Sequence, residues 1–409
     1  MKYSMLFGCL TAAFAVTAAA ADDGGPIKKV FVIALENHNW TQPASQTSPQ
    51  PIFQNPAAPF INSLVNGTAF ATVNGRPVNI SRQVAYAMNY VNVLSTPSGN
   101  NPHVHPSEPN YMWAEAGNNF RVSNDADPYV PNGTTNQVNN QDGVLHLATL
   151  LTLAGRTWRS YQEDIDLTAV GGQPTNTGGQ INNLVLPRSQ WTVPLRSFSG
   201  NFASGSNQFN GSTQFDYAAK HNPMVFFTDT NGGNDPTPAN PLSQQYAPLQ
   251  QLFVDLANNS VADYNWITPN QHNDMHTALT GGFRGLTGDA ANIKQGDNFV
   301  QIVVPIIMAS KAYQDHGAII LWNDETEGGD DGMHTSLEIV ISPLAHPNVN
   351  GLPFASPVLL THSSDVRTMQ KIFHVTKPIF LGDAENANDL SSLFAEGAIP
   401  KDDGDDDNH

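Results

Sequence analysis

Residues 28–35 read KKVFVIAL and run straight into Glu36, Asn37 and His38. An apolar run without alternation is what a strand buried on both faces requires. Its abrupt polar end predicts a parallel-sheet strand that delivers Glu36 and Asn37 at its C-terminal tip. Working outward, four further runs share this form. Residues 224–228 (MVFFT) end at Asp229, and 264–268 (YNWIT) lead to His272, Asp274 and His276. Residues 318–322 (AIILW) end at Asn323, Asp324 and Glu325, and 357–360 (PVLL) end at Thr361, His362, Ser363 and Ser364. Helical stretches fall between them, at 59–66, 144–154, 246–257 and 298–313. The alternation predicts an α/β fold, a three-layer sandwich with a central mostly parallel sheet and helices on both faces. Ligands bind beyond the carboxyl ends of such strands, so the polar tips are expected to converge on one site.

The chain has 409 residues, with 36 Asp+Glu against 18 Lys+Arg and a formal net charge of −18. Its 40% hydrophobic content suffices for a large core and excludes wholesale disorder. The negative balance disfavours nucleic acid as a partner but suits cations. Residues 1–21 read as a secretory signal: Lys2 precedes an apolar stretch, and four alanines at 18–21 supply the small residues of a cleavage site. The mature protein is therefore expected to be secreted or periplasmic, with no transmembrane segment. The one cysteine, Cys9, lies inside that signal, so disulfides, Cys-zinc sites and thiol nucleophiles are excluded from the mature chain. Residues 22–395 are expected to form one folded domain. Its Asn-, Gly- and Gln-rich stretch at about 117–220 is an excursion capping the site. The acidic stretch 396–409 is expected to be a disordered tail.

Several polar groups can carry chemistry, and each has a plainer reading. Glu36 beside Asn37 can bind a divalent cation and steady a phosphoryl oxygen, or simply form a turn. Residues 110–117 suit a helix with Ser107 near its start and Pro109 in its first turn. Ser107 there is either an N-cap or a nucleophile served by the helix N-terminus and a metal. His272, Asp274 and His276 form a dense set of zinc-type ligands within five positions. The adjacent Asp324 and Glu325 would repel unless a cation or a proton sits between them. The acidic loop 328–334, which ends at His334, is a solvated turn or a second ligand loop. His362 is a ligand, or its serine neighbours cap the next helix.

Taken in order, these segments resemble a family of secreted phosphoesterases containing acid phosphatases and phosphatidylcholine-type phospholipases C. That family is similar in turn to the alkaline-phosphatase-like superfamily. The resemblance rests on VFVIALENHNW (30–40), HPSEPNYMWAEAG (105–117), KHNPMVFF (220–227), ITPNQHNDMH (267–276), LWNDETEGGDDGMH (321–334) and LLTHSSDVRTMQKIF (359–373). It implies a phosphoesterase catalytic domain over 22–395 and an alkaline-phosphatase-like fold. It implies that Ser107 attacks phosphorus and is transiently phosphorylated, and that Asn37 binds the substrate phosphate. Glu36, Asp324 and Glu325 would hold a divalent metal that activates Ser107. Asp274, His276 and His362 would form a second metal site or donate to phosphate, and His105 and His221 would contact the phosphate or the leaving group. One or two ions are implied, of zinc, calcium, magnesium or manganese. The implied partner is a small phosphorylated substrate, with a phospholipid headgroup as the alternative. The phospholipase branch carries Thr as nucleophile and a DE-x-GG-x-x-DH pattern. Serine here, and the longer spacing to Gly328 and Gly329, lean toward the acid-phosphatase branch and a monoester. The rivals are a phospholipase C-type diesterase and an inactive secreted binding protein.

Overall fold

The run 29–35 is an interior strand of an eight-stranded sheet in the computed structural model. Residues 26–92, 105–128, 139–165, 187–202 and 205–401 are described, with a two-stranded backbone ladder at 168–169 and 173–174. The expected signal at 1–21, with Cys9, and the acidic end at 402–409 lie outside the described residues. The sheet strands are β1 (Lys29–Leu35), β2 (Val84–Ala87), β3 (Trp158–Gln162), β4 (Tyr246–Pro248), β5 (Tyr264–Thr268), β6 (Gly317–Asn323), β7 (Glu338–Ile341) and β8 (Phe354–Ser356). They lie in the order β4-β3-β5-β1-β6-β7-β2-β8. All share one direction except β7, which is antiparallel to both neighbours.

β1 shows why its sequence does not alternate. Val30, Val32 and Ala34 enter a core shared with the helices Ser107–Ala116, Leu147–Leu153 and His362–Ile372. Phe31, Ile33 and Leu35 enter a second core with the helices Pro59–Val65, Leu249–Ala257 and Gly288–Ala309. Side chains alternate across the sheet, and helices cover both faces, so every position must be apolar. Each large side chain so buried contributes about 1.5–3 kcal/mol. The three layers are those expected from the sequence.

Two expected strands are something else. Residues 224–228 pack as a 3-10 turn, Pro223–Phe226, followed by the short helix Thr228–Asn231. Pro223 opens the turn, and full burial of Met224, Val225 and Phe226 makes the segment as apolar as a strand. Near 357–360 the strand is the earlier Phe354–Ser356, an edge strand that stops at Pro357. The stretch 117–220, expected as an excursion over the site, also supplies β3, paired on both sides within the sheet. The folded domain also runs past 395: Ala398 and Ile399 are buried in the core.

The helix Ser107–Ala116 ends at Gly117, whose φ of +63° is left-handed. A methyl group there would run into the Leu381 carbonyl oxygen. Gly117→Ala is therefore expected to destabilise by about 1–3 kcal/mol, read as a lower midpoint in urea with an unchanged slope.

The same helix is tied to its neighbour through His146, which is wholly buried. Its Nδ1 lies 2.7 Å from Glu115 Oε1 and its Nε2 lies 2.9 Å from Asp229 Oδ1. Burial works against a charge on this ring, but Asp229 and Glu115 outweigh it and raise the pKa. A raised folded pKa stabilises fully below the unfolded value near 6.5, and the contribution fades as pH climbs through the folded value. His146→Gln is expected to cost about 3 kcal/mol at about pH 6. The gap between variant and parent should narrow as pH climbs through the parent's raised value, because the parent alone loses this contribution. Denaturant titrations across a pH series check it.

Candidate active site

Sheet register assembles the site. β1 and β6 pair in parallel from Lys29↔Gly317 to Leu35↔Asn323, so the next residues, Glu36 and Asp324, emerge side by side. The Asp324 amide donates to the Leu35 carbonyl (3.2 Å), continuing the ladder to the tip. On the other flank β5 runs parallel to β1, and the loop after it returns so that Asp274 O accepts from Glu36 N (2.8 Å). Asn37 turns the chain with φ +54°, a left-handed conformation that asparagine tolerates better than most residues. Its amide nitrogen donates to Asp324 Oδ1 (3.2 Å). With the side-chain nitrogen facing the carboxylates, Asn37 also donates to Glu36 Oε2 (3.0 Å) and Glu325 Oε1 (3.1 Å). One asparagine thus ties three carboxylates together.

Ser107 opens its helix directly after Pro106 and is buried. Its Oγ donates to Glu36 Oε2 (3.1 Å). The helix is fixed against the sheet by Tyr111, which meets Trp266 and Trp322 edge-on, and by Trp113 Nε1 donating to Ser363 Oγ (2.7 Å). Tyr111 also stacks on His221, centroids 5.0 Å apart and planes 16° from parallel. A hydroxyl, acidic side chains and imidazoles from remote segments therefore form one buried cluster.

The phosphoesterase family profile matches residues 27–376 of this chain. The chain belongs to the phosphoesterase family. Among similar proteins, the phosphate-repressible acid phosphatase of Penicillium chrysogenum is 24% identical over 54% of this phosphoesterase and 38% of its own length. An acid phosphatase of Aspergillus fumigatus is 27% identical over 42% of this chain and 28% of its own. Both matches span well under half of the relative's length. A solved structure from Bacteroides thetaiotaomicron glycosaminoglycan metabolism aligns over 91% of this chain and 81% of its own, at 10% identity and a TM-score of 0.44.

Within the phosphoesterase, three expected roles change. His362 is not placed to ligate a metal. Its Nε2 bonds the Asp324 carbonyl, and its Nδ1 meets Tyr90 Oη (2.8 Å) and Trp322 Nε1 (3.1 Å). Both nitrogens are spent on protein, and burial pushes the ring pKa down to about 3, so a neutral His362 props the Asp324 backbone. Ser364 Oγ accepts from the Thr361 amide (2.9 Å) at the start of the following helix. His105, expected at the phosphate or the leaving group, is engaged by two carboxylates. Its Nδ1 lies 2.6 Å from Glu325 Oε2 and its Nε2 lies 3.1 Å from Asp330 Oδ1. Hydrogen bonds to Asp330 and then Glu325 raise its pKa to about 10, so it grips Glu325 as a cation. His221 is buried beneath the site, with Nε2 2.9 Å from Glu36 Oε1 and Nδ1 3.2 Å from Asp274 Oδ2. Neither approach has the angle of a hydrogen bond.

Two histidines expected near the ligands turn elsewhere. His272 Nδ1 meets the Thr277 carbonyl (3.0 Å), and His334 meets Asp331 (2.7 Å) and Gln46 (2.8 Å). Lys220, which the sequence pattern does not single out, also lies at the Ser107 hydroxyl. Its Nζ lies 3.4 Å from Ser107 Oγ, 3.4 Å from His276 Nε2 and 3.0 Å from Asp125 Oδ2. The signal was present, since Lys220 directly precedes His221 in KHNPMVFF.

Electrostatics keep the paired groups at opposite ends of their ranges. Burial opposes ionisation of Glu36, but the His221 imidazolium outweighs it and holds the carboxyl far below the usual range. Burial likewise opposes charge on His221, and Glu36 and Asp274 raise its pKa to about 9. Burial pushes Asp274 and Glu325 up to about 7 each, and His276 down to about 4. Burial raises Asp324 as well, with Glu36 and Glu325 adding to the rise.

The same groups fit a divalent cation. Ligand atoms of Glu36, His221 and His276 all lie within 4.8 Å of one another. Glu36 Oε1, both His221 nitrogens, Asp274 Oδ2 and Asp324 Oδ2 are buried without a hydrogen-bond partner. Orphaned polar atoms are expensive unless something satisfies them. A carboxylate with two imidazoles suits zinc-like ions, and the neighbouring carboxylates suit harder ones. Holding an ion there would require His221 to give up its proton.

Proposed function

We propose that this phosphoesterase hydrolyses phosphate monoesters by way of a phosphoserine at Ser107. The observation that carries this reading is the Ser107 hydroxyl, at a helix N-terminus, hydrogen-bonded to the buried Glu36 carboxylate, whose other oxygen faces His221. The acid phosphatase names of the relatives agree with a monoester. In the first step Ser107 Oγ attacks phosphorus in line, the P–O ester bond breaks, and the alcohol departs with a proton. In the second, water attacks the phosphoserine and inorganic phosphate leaves, which returns the serine. Glu36 orients the hydroxyl, Asn37 aligns the carboxylates, and Lys220 faces the charge that develops on the phosphoryl oxygens. Glu36, His221 and His276 would hold a divalent ion, with Asp274, Asp324 and Glu325 adjoining. When bound, that ion supplies Lewis-acid polarisation of a phosphoryl oxygen.

We propose secretion as well, on the strength of residues 1–21; among the described residues no helix is long and apolar enough to cross a membrane. The test of the function is a substrate panel run on metal-analysed protein: p-nitrophenyl phosphate against bis-p-nitrophenyl phosphate and phosphatidylcholine. Preference for the monoester supports the reading. Preference for either diester would favour the phospholipase C alternative, and inertness toward all three would favour an inactive binding protein.

A further inference from the structure

We propose that Lys220 makes this site prefer phosphate monoesters to diesters, by meeting the second negative charge that a monoester carries and a diester lacks. The inference rests on the phosphoesterase chemistry proposed above and assigns its selectivity to one side chain. An attacked phosphorus must come to about 3–3.5 Å from Ser107 Oγ. Lys220 Nζ lies 3.4 Å from that oxygen, so the non-bridging phosphoryl oxygens fall within its reach.

The ammonium is held in place. Asp125 Oδ2 accepts from it at 3.0 Å and His276 Nε2 at 3.4 Å, and the side chain is 13% exposed. Both anchors come from outside its own segment, so the charge is fixed before substrate arrives, which is the condition for effective electrostatic stabilisation. Other cationic side chains near Ser107 are committed. His105 is held between Glu325 and Asp330, and His221 lies between Glu36 and Asp274. Near neutral pH a phosphate monoester carries close to two negative charges, whereas a diester carries one. Lys220 takes no proton and forms no bond; it interacts with charge alone. Lys220 and Asp125 both fall in the stretch 117–220, which gives that stretch a part in the chemistry.

The experiment compares p-nitrophenyl phosphate with bis-p-nitrophenyl phosphate for the parent, Lys220→Met, Lys220→Arg and Asp125→Asn. For Lys220→Met, kcat/KM is expected to fall about 10²–10³-fold on the monoester and no more than about tenfold on the diester. Arginine should recover part of the monoester rate, and Asp125→Asn should shift the ratio the same way by about tenfold or less. If diester turnover is too slow to follow, competitive inhibition by inorganic phosphate against that by dimethyl phosphate gives the corresponding ratio of affinities, which Lys220→Met should shift in the same direction. Equal losses on both charge classes would mean that Lys220 only positions Ser107, and would overturn the proposal, as would an unchanged ratio. If Lys220→Met does not fold, the arginine and Asp125→Asn variants decide: an unchanged ratio in both overturns the proposal. A parent protein inert toward all phosphate esters would instead sink the function on which the proposal rests.

Discussion

Ser107→Ala is expected to lower turnover of p-nitrophenyl phosphate by at least about 10⁴-fold, since loss of a covalent nucleophile removes the pathway rather than tuning it. Stability should barely change. The Ser107 side chain makes one hydrogen bond to Glu36 and a long contact to Lys220, and alanine suits a helix start well enough. Circular dichroism and a urea titration would show a parent-like fold, while steady-state kinetics would show the loss. A variant that kept more than a few per cent of the parent rate would remove the serine from the chemistry. A variant that lost both activity and fold would leave the kinetic loss uninterpretable, and for that case Ser107→Cys supplies a near-isosteric control.

Glu36→Gln is the second large effect. The change keeps the shape but removes the charge that accepts from Ser107 and faces His221. A glutamine amide cannot replace an ionised acceptor, and it leaves the buried imidazole without its nearer counter-charge. We expect kcat/KM to fall about 10²–10³-fold. The content of divalent metal in purified protein should drop in parallel, because Glu36 belongs to the triad with His221 and His276. Metal analysis by mass spectrometry separates two causes. A rate loss with full metal content would assign Glu36 to orienting the serine alone, whereas parallel losses tie it to the cation as well.

Much of this site was legible in the sequence because parallel strands declare themselves. The runs before Glu36, Asp274 and Asp324 are buried on both faces, and their polar ends stand out against them. From those ends the sequence reading set Glu36, Asn37, Asp274, His276, Asp324 and Glu325 at one edge of the sheet, whereas Ser107 entered through its helix start and the family resemblance. What the runs conceal is whether apolar means strand. Residues 224–227 are all apolar because they pack under the helix Ser107–Ala116, and a short buried turn has the same composition as a short buried strand. β3 reads WRSYQ, and its polar residues find distant partners: Ser160 donates to Asn222, which lies outside the sheet, and Gln162 donates to Thr268 on β5. Nothing in a one-dimensional pattern announces those partners.

The histidines show the same limit. A residue type can say that an imidazole is available, but not where its nitrogens point. His105, His221 and His362 all stand close to the carboxylates, as expected. Their roles differ with what faces the second nitrogen: Asp330 bonds that of His105 and Tyr90 that of His362, while Asp274 only stands 3.2 Å from that of His221. Lys220 does not stand out in the sequence, because a lone lysine in a chain is ordinarily a solvated surface charge. Only the fold brings Asp125 and His276 to its ammonium.

The measurement that bears most directly on the central claim is capture of the phosphorylated enzyme. Protein mixed rapidly with radiolabelled p-nitrophenyl phosphate, quenched in acid and digested, should carry its label on the peptide containing Ser107, and the Ser107→Ala protein should carry none. Label on another residue, or full turnover by the parent with no labelled peptide at any quench time, would contradict a serine-bound intermediate at this site.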